Sequence, residues 1–243
     1  MEAQTAGIVV IGNEILSGKV VDENSPWMAK RLRELGLDLR RIVTVPDEVA
    51  EIAAAVATFA RLFDIVLTSG GVGPTHDDVS MEGVAEAFHR TLVRHPELDA
   101  ALRQHAGEHA NEALLRMALI PDGAALIHGE RVAFPTVVVE NVYVLPGVPE
   151  ILKRRFEVLA PRFSGVPFHL HVVYSRLFES AIAESLETTL AEFPGLLIGS
   201  YPRLGDVEVA VKVTVESRDA DVAKRAFERL LELLPEGAIV RTE

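Results

Sequence analysis

The run Gly7-Ile8-Val9-Val10-Ile11-Gly12 is continuously apolar and β-branched, the pattern of a strand buried on both faces of a parallel sheet. After a polar stretch, Met28, Leu32 and Leu35 recur at helical spacing behind Asn24, Ser25 and Pro26, with Gly36 as the stop. Leu39 to Val45 reads as a second strand. Asp47 then stands where it can cap a helix that carries Ile52, Val56, Phe59 and Phe63 on one face, and Asp64 to Ser69 reads as a third buried strand. Such alternation predicts an α/β fold with a doubly wound, mainly parallel sheet. Ligands of these sheets bind beyond the carboxyl ends of the strands, which brings Gly12 to Glu14, Asp47 and the segment after Ser69 to one rim.

Residues 79 to 120 read as largely helical. Two strands follow at Thr136 to Val139 and Val142 to Leu145, with Glu140-Asn141 as the turn, and Pro149 opens a helix that runs to about Phe163. The small-residue stretch Ser164-Gly165-Val166-Pro167 marks a boundary, giving domains 1–164 and 165–243. The second predicts a βαββαβ order, a small α+β domain of ferredoxin-like or KH-like shape.

Charge narrows the partners. With 24 Lys plus Arg against 36 Asp plus Glu, the net charge of −12 disfavours long nucleic acids, which need a basic stripe. The second domain, 8 basic against 13 acidic, shares that balance. There is no cysteine, hence no disulfide framework, thiolate nucleophile or Cys-based zinc site. The start Met1-Glu2-Ala3-Gln4-Thr5 lacks signal-peptide character and no segment has the length and apolarity of a membrane span, so the expectation is a cytoplasmic protein without a membrane partner.

The stretch Gly70-Gly71-Val72-Gly73-Pro74-Thr75-His76-Asp77-Asp78 carries the candidate chemistry. Glycines permit close backbone approach and can turn consecutive N–H groups toward a phosphate, and Thr75 adds a hydroxyl. Asp77 and Asp78 would repel a bare phosphate, so they fit best with a divalent cation or an ordered water in between. The alternative is a tight turn with Asp78 capping the next helix. His105-Ala106-Gly107-Glu108-His109 matches a zinc-peptidase spacing but is set aside: Gly107 weakens the helix that would present both histidines and no third ligand is evident. His169 and His171 alternate with apolar residues, as on an exposed sheet face.

GGVGPTHDD at 70–78 is similar to the GGxGPTxDD signature of CinA-type (competence/damage-inducible) proteins, a shorter form of which recurs in molybdopterin adenylyltransferases and insertases. IGNEILSGKVVDENSPWMAKRLRELG at 11–36 and LPGVPEILKRRF at 145–156 also resemble motifs of that molybdopterin-binding family. The run from His128 to Tyr143 departs from the CinA pattern and resembles eukaryotic FAD synthases instead, as do Leu197 to Pro202 and the strand after them. With the sequence ending at Glu243, short of a CinA-type amidase or FAD synthase catalytic domain, neither deamidation nor FAD synthesis is expected.

The resemblance implies metal-dependent hydrolysis of a dinucleotide such as FAD or ADP-ribose at the pyrophosphate, releasing AMP, and a homodimer. On that reading Gly12, Gly70, Gly71, Gly73, Thr75, Pro146 and Gly147 surround the phosphates, Asp77 and Asp78 hold Mg²⁺, Mn²⁺ or Co²⁺, and Asp47, Asp77 and Asp78 are the catalytic carboxylates. Glu14 is a ligand contact or a solvated loop acid, Asn24 a ligand contact or a helix cap, and Gly147 a phosphate donor or a turn residue. Two other functions stay open: molybdopterin binding or adenylyl transfer, and a ligand-binding regulator without turnover.

Overall fold

The computed structural model describes residues 4–130, 132–163 and 165–243; Met1 to Ala3, Arg131 and Ser164, on which parts of the amino-terminal, FAD-synthase-like and linker readings rest, lie outside them. The chain divides into two compact units, Met1–Gly165 and Val166–Glu243.

The first unit runs β1 (Thr5–Ile11), α1 (Asn13–Leu16), α2 (Asn24–Glu34), β2 (Asp38–Val45), α3 (Val49–Leu62), β3 (Ile65–Ser69), α4 (Ser80–Ala87), β4 (Leu92–Arg94), α5 (Pro96–Ala106), α6 (Glu112–Leu115), β5 (Leu119–Pro121), β6 (Ala125–Ile127), β7 (Thr136–Val139), β8 (Val142–Leu145) and α7 (Pro149–Leu159). Its main sheet has the order β2-β1-β3-β8-β7-β6, parallel from β2 to β8 and antiparallel at β7 and β6. The apolar runs divide between two cores. Ala6, Ile8 and Val10 of β1 pack with Met28 and Leu32 of α2 and with Leu152, Phe156 and Leu159 of α7. Val9 and Ile11 point the other way, toward Ile52, Val56 and Phe59 of α3 and Val84 of α4. A strand whose residues feed both cores has no polar face, which is why it reads as an unbroken apolar run.

The stretch 79–120 departs from its helical expectation. It holds β4 and β5, paired with each other in a two-stranded antiparallel sheet, between short helices. Three-residue strands carry too little periodicity to be seen, and their pairing joins residues far apart in sequence. β6, also three residues long, was hidden for the same reason. The HxxEH residues fall on two elements, because α5 ends at Ala106 and Gly107 takes a φ of +54°.

The second unit is β9 (His169–Ser175), α8 (Glu179–Glu192), β10 (Leu197–Pro202), β11 (Val211–Ser217), α9 (Ala220–Leu233) and β12 (Ile239–Thr242). Its antiparallel sheet has the order β10-β11-β9-β12, the ferredoxin-like arrangement of two split βα units. Val173, Val211, Val213 and Val215 form its core with Ile182 of α8 and Ala226 and Leu230 of α9. His171 shares the strand parity of Val173, so it is not on an open face: its ring stacks on Phe227 of α9 at 4.9 Å. Among the described residues no helix is long and apolar enough to cross a membrane.

Candidate functional site

Chain direction across the main sheet reverses between β1 and β3. From β1 the chain passes to β2 on one side, and from β3 the sheet continues to β8 on the other. At such a reversal the loops leaving two neighbouring strands part to opposite faces and open a crevice at the carboxyl edge. A cleft of about 430 Å³ lies there, lined by Val10 and Ile11 of β1, Ser69 of β3, Gly70, Gly147 and Asn24. Glu14, Asp22 and Glu23 complete its polar rim, and no lysine or arginine is among the lining residues.

Gly70 takes a φ of +114°, and a Cβ there would stand 2.0 Å from the Ile11 carbonyl oxygen, so only glycine lets the β3 loop pass the end of β1. The Gly147 loop lies in ordinary contact with it: a Cβ on Gly147 would be 3.4 Å from Gly70 Cα. Asn24 ties these parts together, its Nδ2 donating to Ser69 Oγ at 3.0 Å and to the Gly147 carbonyl at 2.8 Å. Its Oδ1 is buried without a partner, as are Ser25 Oγ and Thr68 Oγ1. Asn24 is therefore a bridge and not the helix cap; the capping role falls to Asp22, whose Oδ1 accepts the Asn24 and Ser25 amides at 3.0 Å each.

Several expected phosphate donors are already engaged. The Gly12 amide donates to the Val45 carbonyl and the Gly70 amide to the Leu145 carbonyl, both as extensions of the ladder. Ser80 donates to the Gly70 carbonyl from its hydroxyl and to the Gly71 carbonyl from its amide, bracing the turn from behind. Beyond it the loop closes on itself. The Thr75 amide donates to Asp78 Oδ2 at 2.8 Å and the Thr75 hydroxyl bonds to the same oxygen. The nearness of that hydroxyl, and then its own amide, hold the Asp77 carboxyl below the usual carboxylate range. Asp78 is not the cap of α4, which starts after Val79 without a side-chain cap.

Asp47 likewise does not cap α3; its Oδ2 accepts the Asn13 amide at 2.7 Å and pins the loop that leaves β1. Of the residues singled out in the sequence, the cleft gathers Glu14, Asn24, Gly70 and Gly147. Gly71, Gly73 and Asp78 line a separate recess of about 20 Å³, while Gly12, Asp47, Thr75, Asp77 and Pro146 line neither. Among the described residues no group of three or more His, Asp or Glu side chains stands close enough to hold a metal. Asp22 and Ser69 escaped the sequence reading: Asp22 resembles any acid before a helix, and Ser69 the end of any strand.

A family model described as "Probable molybdopterin binding domain" matches residues 7–165. The chain belongs to this molybdopterin-binding domain family. A second model, "FAD synthase, middle domain", matches residues 167–243. A protein of Archaeoglobus fulgidus is 37% identical over 93% of this chain and 96% of its own length. The "Probable FAD synthase" of Caenorhabditis elegans is 32% identical over 96% of this chain and 50% of its own, and a "CinA-like protein" of Mycolicibacterium gilvum is 35% identical over 94% and 59%. The chain thus spans about half the length of the FAD synthase relative. In structure, the molybdopterin-binding unit resembles the CinA protein of Thermoplasma acidophilum, itself of unknown function, with a TM-score of 0.61 and 30% identity over 66% of this chain and 98% of that one. These matches agree with the CinA-like and FAD-synthase-like motifs and with the α/β fold expected from the sequence.

Proposed function

We propose that the cleft binds a small phosphorylated ligand of the dinucleotide class and that the protein hydrolyses its pyrophosphate with the help of a divalent cation. The observation that carries this reading is the combination of glycine backbone and acid rim. Gly147 lets a pyrophosphate approach the main chain closely, while Glu14, Asp22 and Glu23, with no basic residue among the described lining, would repel it unless a cation lay between. No three such side chains gather closely enough to hold a metal among the described residues, so a cation here would take most of its shell from phosphate oxygens and water, as Mg²⁺ can. Glu14 and Asp22 at the rim are the carboxylates that would hold it, with Asp77 and Asp78 of the glycine loop, outside the cleft, as the further candidates. When bound, the cation offsets the charge that develops on the bridging and terminal oxygens.

The remaining work belongs to the chain. Gly147 leaves room at the phosphates, Gly70 lets the loops of the rim cross, Asn24 fixes the spacing of the β3 and β8 loops, and Asp47 and Asp78 position water and take its proton. Water adds to one phosphorus, the P–O–P bridge breaks, and FAD yields AMP and FMN, or ADP-ribose yields AMP and ribose 5-phosphate.

The test is incubation of the protein with FAD and with ADP-ribose in Mg²⁺, Mn²⁺ or Co²⁺, with AMP followed by chromatography. AMP should form and should cease on chelation. Asp78→Ala should slow it roughly a hundredfold or more while the ligand still binds. Folded protein that yields no AMP from either compound overturns the hydrolase reading. The family match favours a second reading, molybdopterin binding or adenylyl transfer; it calls for pterin affinity and ATP consumption under the same conditions. Ligand binding without turnover in any assay leaves the regulator.

A further inference from the structure

Arg155 departs from the way arginines are placed elsewhere in the first unit. Arg31 meets Glu34 and Glu157, Arg94 meets Asp99 and Glu112, and Arg103 meets Asp99, all with carboxylates at hand and solvent nearby. Arg155 lies instead on the inward side of α7, among Leu152, Phe156 and Leu159, and is only 9% exposed. Among the described residues its Nε has no hydrogen-bond partner and no carboxylate pairs with it. Burial alone acts on its guanidinium, pushing the pKa down, yet an arginine stays charged under all conditions in which the protein folds. An unpaired buried cation is costly, and a leucine or methionine would fill the same place without that cost.

What the guanidinium faces explains how the charge is tolerated. Arg155 lines a recess of about 30 Å³ whose other walls, among them Val72, Leu98, Met117 and Phe134, are all apolar side chains. That space accepts a group of one or two water molecules' size and excludes a nucleotide. A guanidinium offers donors and no acceptor. Water placed against it can accept from the arginine, but the side chains around it offer no oxygen or nitrogen acceptor for its protons, whereas a buried water ordinarily makes about three hydrogen bonds. An anion has no protons to satisfy and cancels the charge.

We propose that this recess is a binding site for one small monovalent anion, of the size class of chloride or formate, held by the Arg155 guanidinium. The site shares no lining residue with the cleft and does not depend on the hydrolase reading, though Val72, Met81 and Met117 also line the recess of Gly71, Gly73 and Asp78.

Thermal unfolding at constant ionic strength tests it, with sodium chloride or formate replacing sodium gluconate, whose anion is too large for the recess. The wild-type midpoint should rise by about 3 °C and saturate, since an anion that binds only the folded state stabilises it by mass action. Arg155→Met, which fills the place without charge, should be at least as stable in gluconate and indifferent to the exchange. A wild type that does not respond, or a variant that responds equally, overturns the proposal. Should the variant not fold, a bromide-soaked crystal of the wild type decides. An anomalous peak at hydrogen-bond distance from the guanidinium supports the site, and water or empty space there at saturating bromide refutes it.

Discussion

The two ends of the main sheet are made by the same strands and differ in what they leave unpaired. At the amino end, Asp64 Oδ2 accepts the Thr5 amide at 2.7 Å and the Thr5 hydroxyl at 2.8 Å. Asn141 beside it donates to the Ala60 and Phe63 carbonyls, and Arg90 pairs with Glu140. At the carboxyl end, Asn24 lines an open cleft, and among the described residues its Oδ1 is buried without a partner. Buried polar groups are nearly always satisfied, so an acceptor left open at the cleft is one that a ligand or an ordered water can fill. One end is closed by its own hydrogen bonds; the other keeps its bonding capacity for a ligand.

The largest effect expected is at the point where the carboxyl-end loops meet. Gly70→Ala would place a Cβ 2.0 Å from a carbonyl oxygen at a positive φ, so it should cost roughly 3 kcal/mol or more in urea unfolding. Gly147→Ala makes only an ordinary 3.4 Å contact and should cost less than about 1 kcal/mol, while its methyl intrudes on the cleft and weakens ligand binding. Equal losses of stability from the two would mean that the loops do not cross as described.

The next pair sets one amide against the other. Asn141→Ala removes two bonds to carbonyls at the closed end and should cost about 1–2 kcal/mol of stability with no change in affinity for ADP-ribose or FAD. Asn24→Ala removes two bonds at the open end, at a similar cost, and should also weaken that affinity roughly tenfold or more in calorimetry. A similar loss of affinity in both variants would dissolve the distinction between the ends.

This distinction was only half legible in the chain. The central strands were plain because apolar runs such as Ile8 to Ile11 feed two cores at once, and the glycine loop was plain because its composition is extreme. The helix-cap expectation fails at Asn24 and Asp47 for one physical reason. Local signals make both look like helix caps, whereas their partners lie far along the chain, Gly147 for Asn24 and Asn13 for Asp47. The direction in which the Thr75 amide and hydroxyl point is likewise a property of the closed loop and not of its letters. Arg155 stands in the basic run Lys153-Arg154-Arg155, and its place on α7 puts it among the buried residues of that helix with Leu152 and Phe156.

The smallest effect belongs to the closed end and depends on pH. The Thr5 amide, and then the Thr5 hydroxyl, hold the Asp64 carboxyl below the usual carboxylate range, outweighing the opposing pull of burial. A carboxyl depressed in the folded state contributes stability that is complete above the unfolded value of about 3.9 and disappears as pH falls through the lower folded value. Because Asp64 is exposed, solvent screening limits that contribution to less than about 1 kcal/mol. Urea midpoints measured from pH 7 to pH 2 should therefore show Asp64→Asn slightly weaker than wild type at neutral pH, with the two curves converging in acid. Affinity for ADP-ribose or FAD at neutral pH should not differ between them, since this carboxylate sits at the opposite edge of the sheet from Gly70 and Gly147. A shift in affinity would mean that tension at one edge reaches the other through β1 and β3, and that the closed end helps to set the shape of the open one.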